Sequence, residues 1–151
     1  MTSESSTIHA SAVLVGAKAV LIRGPSGSGK SRLVWDLLQS AQQGTLPFVR
    51  LVADDRALVE ALAGRLLVRP APALAGLLEI RGLGIRQLPF EPVAVVGWVV
   101  ELSAKDAMRM PGNEAAKTQI SEVFLPHLAV ATGMRALPLV LASLRTIPAG
   151  N

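Results

Sequence analysis

The sequence contains no cysteine and only two histidines among its 151 residues. The absence of cysteine excludes a disulfide scaffold, a cysteine-ligated zinc site and a cysteine nucleophile. Two histidines are too few for a histidine-only metal cluster. Tyrosine is also absent, and aromatic residues make up 3% of the chain.

Long hydrophobic runs are missing as well. The longest strongly apolar stretch, residues 93–100, is far shorter than the roughly 20 residues of a membrane-spanning helix. The start of the chain is polar and carries Glu4 where a secretory leader requires basic residues. We therefore expect a cytoplasmic protein that has no membrane partner.

The excess of positive charge is small, with 15 basic and 11 acidic residues and a net charge of +4. Nucleic-acid binders usually combine a clustered basic stripe with aromatic residues, whereas the basic residues here are scattered singly. The composition therefore argues against a nucleic-acid partner. A mildly basic surface would favour a phosphorylated or acidic protein partner.

Half of the residues are hydrophobic, which excludes global disorder because disordered chains contain few apolar residues. A length of 151 residues suits one domain and suffices to bury a core. The first seven residues are rich in serine and threonine. We predict a flexible N-terminus over residues 1–7 and a single domain over residues 8–151.

Apolar periodicity divides the chain into strands and a few helices. Residues 30–42 have the apolar spacing of one helix face, and residues 93–102, apolar on both faces, are typical of a central strand. Residues 120–130 suggest a strand interrupted by Pro126, and residues 137–146 suggest a terminal helix. Further strands are predicted over residues 11–15, 19–23, 48–53, 57–61 and 65–69. The mixture predicts an α/β or α+β fold with a single mixed sheet that is not cleanly doubly wound.

A glycine-rich loop follows the predicted strand 19–23 and precedes the predicted helix. It matches the phosphate-loop pattern G-x-x-x-x-G-K-[ST] in full and consists of Gly24, Pro25, Ser26, Gly27, Ser28, Gly29, Lys30 and Ser31. Glycines let backbone N–H groups point at phosphate oxygens, and the helix start adds partial positive charge. We expect Lys30 to reach the β- and γ-phosphates of a nucleotide and the Ser31 hydroxyl to ligate Mg²⁺.

Two adjacent aspartates, Asp54 and Asp55, follow the predicted strand 48–53. A strand that ends in aspartate after a phosphate loop resembles a Walker B element, whose carboxylate helps to hold Mg²⁺. Neighbouring side chains at a strand end point to opposite sides, so one aspartate is expected to face the metal. The other could accept a proton from a substrate hydroxyl. A solvated turn is the alternative interpretation of this pair.

The segment LEIRGLGI, residues 78–85, places Glu79 and Arg81 beside two glycines. Glu79 could be a further carboxylate on the magnesium side. Arg81 could stabilise phosphoryl charge through its fork of N–H groups. A charged hairpin turn explains the segment equally well when it is considered alone.

Three segments in this order resemble the catalytic domain of the HPr kinase/phosphorylase family: IHAS at residues 8–11, the phosphate loop, and LVADD followed by LEIRGLGI. The resemblance covers about residues 8–102, and LEIRGLGI is its most specific part. It implies a bacterial enzyme that uses ATP and Mg²⁺ to phosphorylate a serine of HPr, the phosphocarrier protein of the sugar phosphotransferase system. It also implies a homo-oligomer whose fold is similar to the nucleotide domain of phosphoenolpyruvate carboxykinases.

The resemblance also implies catalytic roles by position. His9 corresponds to an active-site histidine of the family and Lys30 to its phosphate-loop lysine. Asp55, or alternatively Asp54, corresponds to the aspartate that acts as base in phosphorylation and as acid in the reverse reaction. Arg109 corresponds to a later catalytic arginine.

The magnesium-binding residues of the family correspond to Ser31 and Glu79. Together with the Walker B interpretation of Asp54, this makes Ser31, Asp54 and Glu79 the predicted metal ligands.

Three features depart from the family pattern. His9 lies only eight residues from the start, so we expect a short form without the N-terminal domain, similar to those in alphaproteobacteria. Residues 41–47 resemble an insertion. The family's late Pro-x-x-Pro-Gly-Arg-Asn loop, which is associated with phosphorolysis and partner binding, has no equivalent in residues 119–135. We therefore expect phosphorolysis to be weak or missing.

Two other functions are compatible with a phosphate loop. One is a small-molecule phosphotransferase, against which LEIRGLGI argues. The other is a non-catalytic module that binds nucleotide and reports it to a partner. A regulatory GTPase is disfavoured because the chain contains no Asn-Lys-x-Asp motif.

Overall fold

Residues 5–107, 116–147 and 149 are described by the computed structural model of the chain. Helix α1 spans Lys30–Gln42, helix α2 spans Ala136–Arg145, and a 3₁₀ turn spans Pro72–Leu74. The strands are β1 Ser6–Ile8, β2 Ala10–Val15, β3 Lys18–Arg23, β4 Val49–Ala53, β5 Ala57–Leu62, β6 Arg65–Pro70, β7 Leu77–Ile80, β8 Gly84–Gln87, β9 Ala94–Glu101, β10 Lys117–Ile120 and β11 Val123–Ala129. Over these ranges, neither helix has the length and apolar character that crossing a membrane requires.

Nine of these strands form one mixed sheet. Its order is β1-β5-β6-β9-β3-β2-β4, and the β10–β11 hairpin joins it where β11 pairs with β9. β9 runs parallel to both β3 and β11, whereas β2 is antiparallel to both β3 and β4. β7 and β8 form a separate antiparallel ribbon. The mixed α/β architecture is confirmed, and the predicted central strand lies inside the sheet as β9.

The sheet buries apolar side chains on both faces. Along β3, Leu21 belongs to the core on one face, while Val20 and Ile22 belong to the core on the other. Helix α1 packs on this second face through Leu33 and Leu37, both almost fully buried. Each such leucine contributes roughly 1.5–3 kcal/mol of burial free energy. This packing fixes the start of α1, and with it the glycine-rich loop, at the carboxyl end of β3.

The described chain begins with a short edge strand. Residues 6 and 7 pair with β5 as part of β1. Ile8 ends this strand and packs against the core. Partial burial of Ile8 therefore helps to hold this edge strand against the core.

The prediction of a strand interrupted by Pro126 is wrong. β11 continues through Pro126, which lies opposite Lys117 of β10. The next residue, His127, donates its N–H to the Ala116 carbonyl at 2.8 Å. The Pro126 nitrogen therefore points away from β10, so its missing N–H removes no hydrogen bond from the hairpin.

Candidate active site

The glycine-rich loop connects the buried strand β3 to helix α1. The Ser28 N–H donates to the Pro25 carbonyl at 3.0 Å and closes a tight turn. Gly27 and Gly29 adopt φ values of +82° and +99°, in the left-handed region that favours glycine. Gly29 is the N-cap residue of α1 and provides no side-chain cap. The first N–H groups of the helix therefore lack intrahelical acceptors, which suits this helix end to an anion.

Lys30, the first residue of α1, is buried against this loop. Its Nζ donates to the carbonyl oxygens of Gly24 at 2.8 Å and Pro25 at 3.2 Å. Burying a charged ammonium group is costly because it loses water, and these two carbonyl acceptors compensate for that loss. An ammonium group has three donor hydrogens, so Lys30 can also donate to a ligand bound in the loop.

Asp54 joins three elements through one buried carboxylate, and the residue is 7% exposed. Its Oδ1 accepts hydrogen bonds from Ser31 Oγ at 2.6 Å and from Ser11 Oγ at 2.8 Å. Its Oδ2 accepts the Glu79 N–H at 3.1 Å. The carboxylate therefore connects the start of α1, strand β2 and strand β7.

Asp55 differs from its neighbour in both exposure and backbone conformation. The residue is exposed and has a φ of +68°, in a region that aspartate and asparagine tolerate better than most residues. Its N–H donates to Ser11 Oγ at 3.1 Å, while the Arg56 N–H donates to the Asp54 carbonyl at 2.8 Å. The turn thus leaves the Asp55 carboxyl accessible while the Asp54 carboxyl is buried.

A cleft of about 970 Å³ lies between the start of α1 and the β7–β8 ribbon. Its walls contain apolar side chains, Trp35 among them, beside charged groups. Predicted site residues in its lining are Ser26, Gly27, Gly29, Lys30, Ser31, Asp54, Asp55, Glu79 and Arg81. The cleft thus brings together the phosphate loop, both aspartates and the LEIRGLGI segment.

Other predicted site residues lie outside this lining. Gly24, Pro25 and Ser28 belong to the loop but do not line the cleft. His9 is exposed between β1 and β2, two residues before Ser11. Arg109 lies outside the described residues.

The polar groups in the cleft fit a magnesium–nucleotide complex. Ser31, Asp54 and Glu79 offer hydroxyl and carboxylate oxygens, the donor type that Mg²⁺ prefers. The described part of the chain contains no group of three or more His, Cys, Asp and Glu residues that could hold a metal ion. Mg²⁺ commonly needs only one or two carboxylates because substrate phosphates and water complete its coordination.

Ser11 is a site residue that the sequence interpretation did not single out. It is fully buried, donates to Asp54 and accepts from the Asp55 N–H. The available signal was a serine in the otherwise apolar strand ASAVLV, since a buried hydroxyl requires a partner.

Comparison with known proteins places the chain in a family. Residues 1–90 match the family described as HPr Serine kinase C-terminal domain. The HPr kinase/phosphorylase of Mycoplasma mycoides is 29% identical over 134 residues, covering 81% of this chain and 41% of that protein. The HPr kinase/phosphorylase of Streptococcus thermophilus is 42% identical over 84 residues, covering 55% of this chain and 25% of that protein. The chain therefore spans between a quarter and about two fifths of the length of these relatives.

The fold is shared with a solved structure. The HPr(Ser) kinase/phosphatase from Coxiella burnetii superposes with a TM-score of 0.71 at 21% sequence identity. The match covers 93% of this chain and 88% of that one. At this identity, the comparison supports the fold rather than the roles of individual residues.

Replacing each aspartate should change the free energy of unfolding by a different amount. Asp54→Asn replaces an acceptor oxygen with an NH₂ donor among three hydrogen-bond donors, and should lower the free energy of unfolding by about 1–3 kcal/mol. Asp55→Asn changes an exposed group and should alter it by less than about 0.5 kcal/mol. Urea unfolding of the two variants measures this difference. Equal losses in both would contradict the structural role assigned to the Asp54 carboxylate.

Proposed function

The chain belongs to the HPr serine kinase C-terminal domain family, and on this basis we propose that it transfers the γ-phosphoryl group of ATP to a serine hydroxyl of an HPr-type phosphocarrier protein in an Mg²⁺-dependent reaction. The observation that carries the proposal is the arrangement around Asp54. This buried carboxylate contacts the phosphate-loop hydroxyl of Ser31, while exposed Asp55 lines the same cleft. A homo-oligomer is the form in which we expect the chain to act.

The phosphate loop binds the nucleotide in this proposal. N–H groups of the loop and of the first turn of α1 donate to the β- and γ-phosphates. The Lys30 ammonium, now bonded to the Gly24 and Pro25 carbonyls, donates to the same phosphates. Charge at the transferring group is thereby stabilised by donors that are already in place.

Ser31, Asp54 and Glu79 would hold Mg²⁺ next to these phosphates. When bound, the ion neutralises negative charge that develops on the phosphate oxygens during transfer. The Glu79 N–H bond to Asp54 places the Glu79 side chain at the cleft wall. The buried Asp54 is thus both a ligand candidate and the group that positions the other two.

Asp55 acts on the acceptor. The serine oxygen forms a bond to the γ-phosphorus as the bond between that phosphorus and the β,γ-bridging oxygen breaks. ADP leaves with the bridging oxygen, and the serine proton passes to the Asp55 carboxylate. Arg81 lines the cleft and stabilises charge on the transferred group. We assign His9 and Arg109 to the same reaction from family position.

Phosphate transfer by the Lys30→Ala variant tests the proposal. Removing this cation should lower the rate of phosphorylation by about 10²–10³-fold, as expected for loss of a pre-positioned donor. The assay combines the chain, labelled ATP, Mg²⁺ and a phosphocarrier, and maps the modified residue. Lys18→Ala, at the other end of β3, is the matched control and should retain wild-type activity.

Three outcomes would count against this function. Wild-type rates in correctly folded Lys30→Ala would contradict the role of the phosphate loop. Label appearing only on a small molecule would identify a small-molecule phosphotransferase. Nucleotide binding without turnover would identify a nucleotide-sensing module.

The two aspartates should also differ in their effects on binding and on rate. Asp55→Asn should keep Mg²⁺–ATP affinity near wild type and lower the rate of serine phosphorylation by roughly 10²–10⁴-fold, the usual effect of a general base. Asp54→Asn should mainly weaken Mg²⁺-dependent nucleotide binding. Nucleotide titrations and single-turnover rates distinguish these effects. If both variants lost affinity and rate equally, the pair would act as one metal site.

The reverse reaction should be slow. Because the chain lacks the Pro-x-x-Pro-Gly-Arg-Asn loop of its family, phosphorolysis should be much slower than phosphorylation. Pyrophosphate release from seryl-phosphorylated carrier and inorganic phosphate measures it. Release at a rate comparable to the forward reaction would show that this loop is dispensable.

A further inference from the structure

A second, smaller pocket lies against the other side of the phosphate loop. It encloses about 240 Å³ between the start of α1, the end of β9 and the segment that links β11 to α2. Its apolar side is formed by half-buried Leu137 and by Leu102 and Val130, which are almost fully buried, while polar groups come from Ser103, Arg32 and Arg135. Of its lining, Ser28 and Gly29 belong to the phosphate loop, and the other residues have no part in the reaction proposed above.

The order of the strands places the two pockets on opposite sides of the loop. The loop follows β3, which lies between β2 and β9 in the sheet. Asp54 and Asp55 follow β4, beyond β2, whereas Leu102 and Ser103 follow β9 and Val130 follows β11. The acceptor side of the cleft and the second pocket are therefore separated by the phosphate loop itself.

Phosphoryl transfer requires this kind of separation. The attacking and leaving oxygens lie roughly in line on opposite sides of the transferred phosphorus. If the serine hydroxyl approaches from the side of Asp55, the rest of the nucleotide must extend to the other side of the loop. Gly29, Arg32 and Asp36 line both pockets, so the two pockets adjoin along the first two turns of α1.

We propose that this second pocket binds the nucleoside of the nucleoside triphosphate, an inference that rests on the proposed function. Its volume lies just below the roughly 300–1,000 Å³ of sites that enclose whole drug-sized ligands, which suits one part of a larger molecule. The half-buried side chain of Leu137 offers an apolar contact for the base. Arg135 lies at the pocket edge as the N-cap residue of α2 and is exposed.

The backbone at the pocket wall can supply further donors. Helix α2 begins there with Ala136 and has no side-chain cap, so its first N–H groups have no intrahelical acceptor. The Met134 N–H closes a turn onto the Ala131 carbonyl at 3.1 Å. Polar atoms of a sugar or base can therefore be bound without a dedicated acidic or basic side chain.

Binding of two ligands with and without a nucleoside tests the inference. The affinities of ATP and of inorganic tripolyphosphate are measured by calorimetry with Mg²⁺ on the full chain. Ala131→Trp fills the pocket and Arg135→Ala removes a group at its edge. Ala142→Trp and Arg145→Ala, on α2 but outside the pocket lining, are the matched controls.

The expected result is selective loss of ATP affinity. Ala131→Trp should weaken ATP binding by about tenfold or more, which corresponds to ~1.4 kcal/mol, and Arg135→Ala should weaken it less. Both should bind tripolyphosphate within about twofold of wild type, and both controls should bind ATP like wild type.

Other results would overturn the inference. Unchanged ATP affinity in Ala131→Trp and Arg135→Ala would place the nucleoside elsewhere. Equal loss of both ligands in Arg135→Ala would assign this side to the phosphates. A wild-type chain that bound neither ligand would refute the proposed function itself, together with the inference built on it.

Discussion

The candidate site depends on the hydrogen bonds of one buried carboxylate, that of Asp54. A carboxylate buried without partners is costly, and here its two oxygens accept bonds from Ser11, Ser31 and the Glu79 backbone. These partners come from β2, α1 and β7, which lie far apart in the chain. The same bonds that compensate for burial thus fix the distance between the phosphate loop and the LEIRGLGI segment.

The position of each strand in the sheet determines which part of the reaction its end can serve. β3 leads into the phosphate loop, β4 leads into the aspartates, and β9 and β11 lead to the wall of the second pocket. An acceptor, a phosphate chain and a nucleoside can therefore be arranged in a row across the carboxyl ends of these strands. Exposed Asp55 and buried Asp54 also offer two environments within one turn, which is how adjacent carboxylates can take different roles.

Features encoded in contiguous sequence could be predicted. The loop Gly24–Ser31 and helix α1 follow from local glycine positions and apolar spacing, and the structure has α1 over the predicted residues 30–42. Features that depend on distant pairing could not. Ser11 meets Asp54 across 43 residues of sequence. The β10–β11 hairpin is local but was also missed, because its turn residues Ser121 and Glu122 have positive φ without the Asn-Gly type signal of such turns. The second pocket combines segments near residues 28–36, 102–103 and 130–137, and no local motif marks it.

A structure of the chain with Mg²⁺ and a non-hydrolysable ATP analogue would test most directly whether the two aspartates have separate roles. We expect Ser31 Oγ and one carboxylate oxygen of Asp54 to lie at about 2.0–2.1 Å from the ion, or to contact it through one water. The Asp55 carboxylate should face the γ-phosphate from the side opposite the leaving oxygen. An ion coordinated by Asp55, with Asp54 still bonded only to Ser11, Ser31 and Glu79, would contradict this account.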